Sequence, residues 1–254
     1  MYFSWQGTNS YRCLYNMDEG VGKIGFHLYD TVHLVWIVGI GIFTFITALC
    51  YLRTTNERLI GMNKVFAITL IGLEMTKNIY LLIVLDTFSI KDLPLHLCSF
   101  SMLIILLNAF KPSTLNSELL YALVLPGALA ALLFPNWTTI PTFSYLHNHS
   151  FIYHAMLILY PFCLLFCGRI KPNYRQLPKV SIFLIALATP IYIFNKLFSV
   201  NFMFLNAPSP GSPLVYFEKW LGNPGYLLGF AGLIAFVWFL MYVPFFIKNQ
   251  QIDK

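Results

Sequence analysis

A cysteine and two histidines carry the strongest chemical suggestion in this sequence. His96 and Cys98 stand in Leu93-Pro94-Leu95-His96-Leu97-Cys98-Ser99, and His154 ends Ser150-Phe151-Ile152-Tyr153-His154. A thiol becomes a nucleophile when a base within hydrogen-bond reach takes its proton. Residues two apart on a regular helix point about 200° apart, so His96, read one turn inside the third span, cannot serve Cys98. The base must come from another helix, and His154 is expected at matching depth. Cys98 is the candidate nucleophile, with the hydroxyls of Ser99 and Ser101 as nearby alternatives, and His154 the candidate general base. His96 is the third candidate catalytic group, orienting substrate or donating to an oxyanion. The competing structural reading is that imidazoles within a bundle only hydrogen-bond across helices or hold a lipid headgroup.

Further polar residues lie in apolar surroundings and are candidate substrate contacts. Glu74 and Lys77, three apart and thus neighbours on one helical face, fall in the middle of the second span. Charges in lipid are expected to pair and face the bundle interior, so the pair is either self-neutralising or a polar centre for substrate or protons. Asn195 can bind substrate or bond another helix, Lys196 can reach toward headgroup phosphate, and His33 stands at the start of the first span. His27, His147 and His149 are read as loop residues. The last two have chelate-like spacing but no carboxylate-rich neighbours, so no metal and no cofactor is assigned. Cys163 and Cys167, four apart, are read as small residues packed on a neighbouring helix.

The elements that must position these groups follow from composition. Of 254 residues, 58% are apolar or aromatic and 10% charged, whereas a water-facing surface needs about 25% charged residues. Spans of about twenty apolar residues are expected at 30–52, 64–85, 93–110, 116–134, 150–168, 179–199 and 224–247. The fold class is therefore all-α, a polytopic membrane protein of about seven transmembrane helices forming one bundle domain over 1–254. Lys111-Pro112 separates the third and fourth spans into a hairpin.

Positive residues stay on the cytoplasmic side. Arg53, Arg58, Lys64, Lys111, Arg169, Lys171, Arg175, Lys179, Lys248 and Lys254 fall on one side, against Arg12, Lys23, Lys91 and Lys219 on the other. That places the N-terminus outside and the C-terminus in the cytoplasm, with localisation in the cell membrane. No cleavable signal peptide is expected, because the first thirty residues lack an apolar core segment. The net charge of +6 is scattered in short loops, which argues against nucleic acid as a partner. No glycine-rich phosphate loop is present. The stretch 200–223, with Pro208, Gly211, Pro213 and Gly222, is expected to form an ordered outer cap. Trp137, Tyr145, Trp220 and Tyr226 are read as an interfacial aromatic belt.

Leu93-Pro94-Leu95-His96-Leu97-Cys98, Phe151-Ile152-Tyr153-His154, and Asn195 followed by Asn201-Phe202-Met203-Phe204-Leu205 and Gly222-Asn223-Pro224 together resemble the YwaF-like integral membrane family of bacteria. That group is distantly similar to the transmembrane protein 164 family, implicated in acyl transfer to ether phospholipids. More remotely it is similar to intramembrane hydrolases of branched fatty-acid esters that use threonine and histidine. The resemblance implies His154 as base. In the animal acyltransferases the cysteine follows proline and precedes histidine, whereas here Leu95 follows Pro94 and the cysteine comes two places after the histidine. The reading that follows is a lipid acyltransferase or ester hydrolase with an outer-leaflet site and membrane lipids or a small molecule as partners. Two alternatives are a transporter or binding protein for a small amphiphilic or cationic molecule, centred on Glu74 and Lys77, and a non-catalytic accessory subunit.

Overall fold

The chain folds into helices joined by short connections, and the computed structural model describes residues 25–252, with side chains to 247. The topology signals Arg12, Lys23 and Lys254 lie outside the described residues. In chain order the helices are α1 Thr31–Leu52, α2 Asn56–Ile79, α3 Leu97–Phe110, α4 Thr114–Leu119, α5 Leu125–Leu133, α6 Tyr145–Phe166, α7 Leu177–Phe198, α8 Leu214–Leu221 and α9 Tyr226–Ile252. A π-turn, Tyr80–Val84, extends α2, and another, Leu120–Val124, joins α4 to α5. No strand occurs among the described residues.

Six stretches are long and apolar enough to cross a membrane: Thr31–Leu52, Asn56–Val84, Thr114–Leu133, Tyr145–Phe166, Tyr174–Phe198 and Tyr226–Ile247. The stretch expected at 93–110 forms the shorter α3, 14 residues long. It rises about 21 Å against a hydrocarbon core of about 30 Å. The loss is at its start. Pro94 holds Leu93 extended (φ −56°, ψ 143°), and His96 is an extended N-cap (φ −78°, ψ 155°) rather than a residue one turn inside the helix.

Two other boundaries move, each with a consequence. The second span begins at Asn56 instead of 64 and runs to Val84, so Glu74 and Lys77 lie past its midpoint. The fifth begins at Tyr145 instead of 150, because Ser144 Oγ caps it by accepting from the His147 amide. His147 and His149 are therefore buried helical residues, not loop residues.

Apolar side chains such as Val35, Ile42, Phe43, Ile182, Leu228 and Phe239 point outward. An exterior of this kind suits hydrocarbon as the surrounding medium. The interior centres on α6, which packs against α1, α2, α3 and α5. Two hydrogen bonds register α6 on α3: Tyr153 O–H donates to the Cys98 carbonyl at 3.2 Å, and Tyr160 O–H to Asn108 Oδ1 at 3.1 Å.

α9 is fastened to the α4–α5 unit by Tyr242 O–H donating to the Glu118 carboxylate, Tyr121 O–H to the Met241 carbonyl and Trp238 Nε1–H to the Ala122 carbonyl. Pro126 lacks the N–H that would ordinarily reach Ala122 four residues back. The indole of Trp238 supplies a donor in its place, the usual remedy for proline in a span.

Candidate functional site

α3 and α6 meet where the register bonds put them, and Cys98 faces His154 there. Cys98 Sγ lies 3.1 Å from His154 Nε2, and His154 Nδ1 lies 2.7 Å from the Ser150 carbonyl oxygen. A carbonyl oxygen only accepts, so in the neutral ring Nδ1 carries the proton and donates it to Ser150. Nε2 is then bare and accepts from the Cys98 thiol. That is the tautomer a general base for the thiol requires. Trp137 stacks on the His154 ring (4.8 Å between centroids, 19° between planes), fixing its plane from the side. His154 is 8% exposed and the Cys98 residue partly exposed, so Cys98 is the more accessible residue of the two.

α2 closes a third side. His149 Nε2–H donates to the Leu73 carbonyl at 3.0 Å, Tyr145 O–H donates to Thr76 Oγ1 at 2.8 Å, and Tyr153 stacks on His149. These ties bring the buried stripe Ala67, Leu70, Glu74 of α2 toward α3 and α6. Glu74 Oε1 accepts from Lys77 Nζ at 2.5 Å, with Glu74 buried and the Lys77 side chain about one quarter exposed.

The loop after α7 covers the start of α3. Met203 N–H donates to His96 Nδ1 at 3.3 Å, and the His96 ring packs against Phe202 and Phe204. In the neutral ring Nε2 therefore carries the proton, and it has no hydrogen-bond partner among the described residues. Met203 and Phe204 both adopt φ +55°, a left-handed conformation that costs a non-glycine residue energy. Asparagines hold it in place. Asn195, fully buried, accepts from the Phe202 amide at 2.9 Å and donates to the Phe202 carbonyl at 2.8 Å. Asn201 and Asn206 bridge the same turn, and Tyr226 O–H donates to the Phe204 carbonyl.

The structure thus gathers Cys98, His154 and His96 around the start of α3, with Glu74 and Lys77 on the helix that packs beside it. Asn195 reaches this group only through the loop, because both ends of its amide are taken by Phe202. His33 lies elsewhere: Nδ1 accepts from the Tyr29 amide and Nε2–H donates to the Leu132 carbonyl, tying α1 to α5. Lys196 is exposed, its ammonium 5.2 Å from the Tyr192 ring centre. Ser101 Oγ–H bonds back to the Leu97 carbonyl.

His147 accepts from Trp36 Nε1–H, and being two residues apart on α6 it and His149 face different neighbours. Among the described residues no three His, Cys, Asp or Glu side chains are grouped to hold a metal.

Trp137, Tyr226 and Glu118 hold places that the sequence did not assign to them. Trp137 and Tyr226 are buried in the bundle instead of belonging to an interfacial belt, while Trp220 is 77% exposed. Nothing in the sequence around Trp137 announces its stack on His154, because the intervening chain turns back between α5 and α6. The buried Glu118, which accepts from the Asn173 amide at 3.2 Å as well as from Tyr242, did leave a signal: it is a carboxylate inside an expected span.

Comparison with known proteins adds one finding. The chain matches the TMEM164 family over residues 28–242, most of its length, and belongs to that family. No curated protein and no solved structure matches it.

Proposed function

We propose that this TMEM164-family chain, YwaF-like in its motifs, is a membrane-embedded lipid acyltransferase or ester hydrolase. Cys98 is its nucleophile and His154 its general base. The observation that supports this reading most is the 3.1 Å approach of Cys98 Sγ to His154 Nε2, with Nδ1 held by the Ser150 carbonyl. His154 takes the thiol proton as sulfur adds to the ester carbonyl, and the ester's carbon–oxygen bond then breaks. The departing alcohol receives that proton from His154, leaving the acyl group on Cys98 as a thioester. Water or a lipid hydroxyl, deprotonated by the same imidazole, attacks the thioester and returns the thiol. His96 Nε2–H is the donor we assign to the developing oxyanion.

The arrangement suits a lipid. Partly exposed Cys98 sits in the first turn of the short α3 and meets His154 about midway along α6, so an acyl chain can run along the apolar exterior and its ester reach the thiol from the end of the bundle where α3 begins. The charge distribution of the loops favours the outer leaflet of the cell membrane for this end.

The test is turnover of radiolabelled phospholipid by purified wild type, Cys98→Ala and His154→Ala. Wild type is expected to release or transfer the acyl group, Cys98→Ala to fall to background, and His154→Ala to lose about 10² to 10⁴-fold. Equal turnover by all three overturns the assignment.

A further inference from the structure

We infer that Lys77, steadied by Glu74, binds the phosphate of the lipid whose ester meets Cys98. This rests on the reading of the Cys98 and His154 pair as an ester site, and it specifies which part of the substrate is recognised. A lysine ammonium has three donors, and among the described residues Lys77 uses one of them, on Glu74 Oε1. Its side chain is about a quarter exposed while that of Glu74 is 5% exposed, so the ammonium is the accessible half of the pair. Lys77 stands one turn beyond Leu73, whose carbonyl accepts from His149 of α6, and its helix packs against both α3, which carries Cys98, and α6, which carries His154. In a glycerophospholipid the ester and the phosphate are joined through a glycerol, so a nucleophile and a cation on neighbouring helices are the complement such a molecule needs.

The surrounding structure fixes Lys77 in this place. Thr76, one residue before it, is tied to Tyr145 of α6, whose ring packs 4.4 Å from that of Tyr80 at the start of the π-turn. π-turns within helices are frequent at functional sites. Glu74 keeps the ammonium compensated when no lipid is bound, since an unpaired buried charge is costly. A bound phosphate can add to the remaining donors without breaking the Glu74 contact.

Purified full-length protein in maltoside detergent is treated with iodoacetamide, and alkylation of Cys98 is followed by mass spectrometry. Protection is measured with 1-palmitoyl-glycerophosphocholine and with 1-palmitoylglycerol, which lacks the phosphate. Wild type and Lys77→Arg are expected to be protected by the phospholipid at about tenfold lower concentration, the equivalent of one hydrogen bond to a charged group. In the double variant Glu74→Gln with Lys77→Gln, which leaves no unpaired charge, the two lipids are expected to protect equally.

Glu74→Gln alone keeps the cation and frees a donor, so its selectivity should equal or exceed that of wild type. A purely structural pair would instead lose it. Equal protection by both lipids in wild type, or undiminished selectivity in the double variant, overturns the inference. If the double variant does not fold, Lys77→Arg and Glu74→Gln decide by the same criterion. Turnover is measured on the same preparations. Selective protection without wild-type turnover defeats the ester chemistry and leaves the phosphate site, whereas turnover without selectivity does the reverse.

Discussion

Replacing Asn195 by alanine isolates the part of the structure that sets His96. The side chain amide makes two buried hydrogen bonds, accepting from the Phe202 N–H at 2.9 Å and donating to the Phe202 carbonyl at 2.8 Å. Alanine leaves both backbone groups unsatisfied at about 1–3 kcal/mol each, or about 2–6 kcal/mol together before relaxation. Relaxation of the loop brings the cost to the lower half of that range, about 3 kcal/mol. This corresponds to an opening equilibrium about 100-fold more favourable.

The neighbouring Met203 amide is freed from His96 in the same event. Native-state hydrogen exchange reads this directly. Amides in 199–207 should exchange about 100-fold faster in Asn195→Ala, and those within α6 should not change. Asn195→Asp, which keeps the acceptor for the Phe202 N–H and loses the donor, should also loosen the loop. Exchange in 199–207 that rises less than about threefold, or an equal rise in α6, refutes the view that this amide is a local brace for the loop over His96.

Further predictions concern the ends of the bundle and the seam of α9. Asp30 caps α1, its two oxygens accepting from the His27 and His33 amides at 2.9 Å each, so Asp30→Ala should cost about 1 kcal/mol, visible as faster exchange over residues 31–34. Burial pushes the Asp30 carboxyl up, but the two amides and the neighbouring imidazoles together outweigh it and hold the carboxyl below the usual 3.8. A depressed value means that the cap's contribution is present above the ordinary carboxylate range and is lost as pH falls through the folded-state value. The same amides should therefore lose protection in acid in wild type and show no such step in Asp30→Ala. Trp238→Phe removes the donor from the Ala122 carbonyl, which Pro126 already deprives of its ordinary partner. It should lower stability by about 1–3 kcal/mol in a dodecylsulfate unfolding titration. An unchanged midpoint would show that this carbonyl finds another donor.

Much of the architecture was written in the sequence by itself. A chain with 58% apolar and 10% charged residues cannot cover itself with a water-facing surface, and runs of about twenty apolar residues can satisfy their backbone in lipid only as helices. The all-helical fold, the break at Lys111-Pro112 and the choice of Cys98, His96 and His154 as chemically interesting all follow from that. The sequence could not show which faces meet. Spans that are apolar all round carry no stripe to mark the interior, so their rotation and register are decided by a few polar contacts across the bundle.

Cys98 and His154, 56 positions apart, come together because Tyr153 and Tyr160 register α6 on α3. His96 turned out to be a cap and not a helical residue. Glu74 and Lys77 joined them because α2 packs against both α3 and α6 and is tied to α6 through the Leu73 carbonyl and Thr76. Trp137 reached His154 through a loop whose path no local pattern encodes. Those are long-range contacts, and tertiary packing alone decides them.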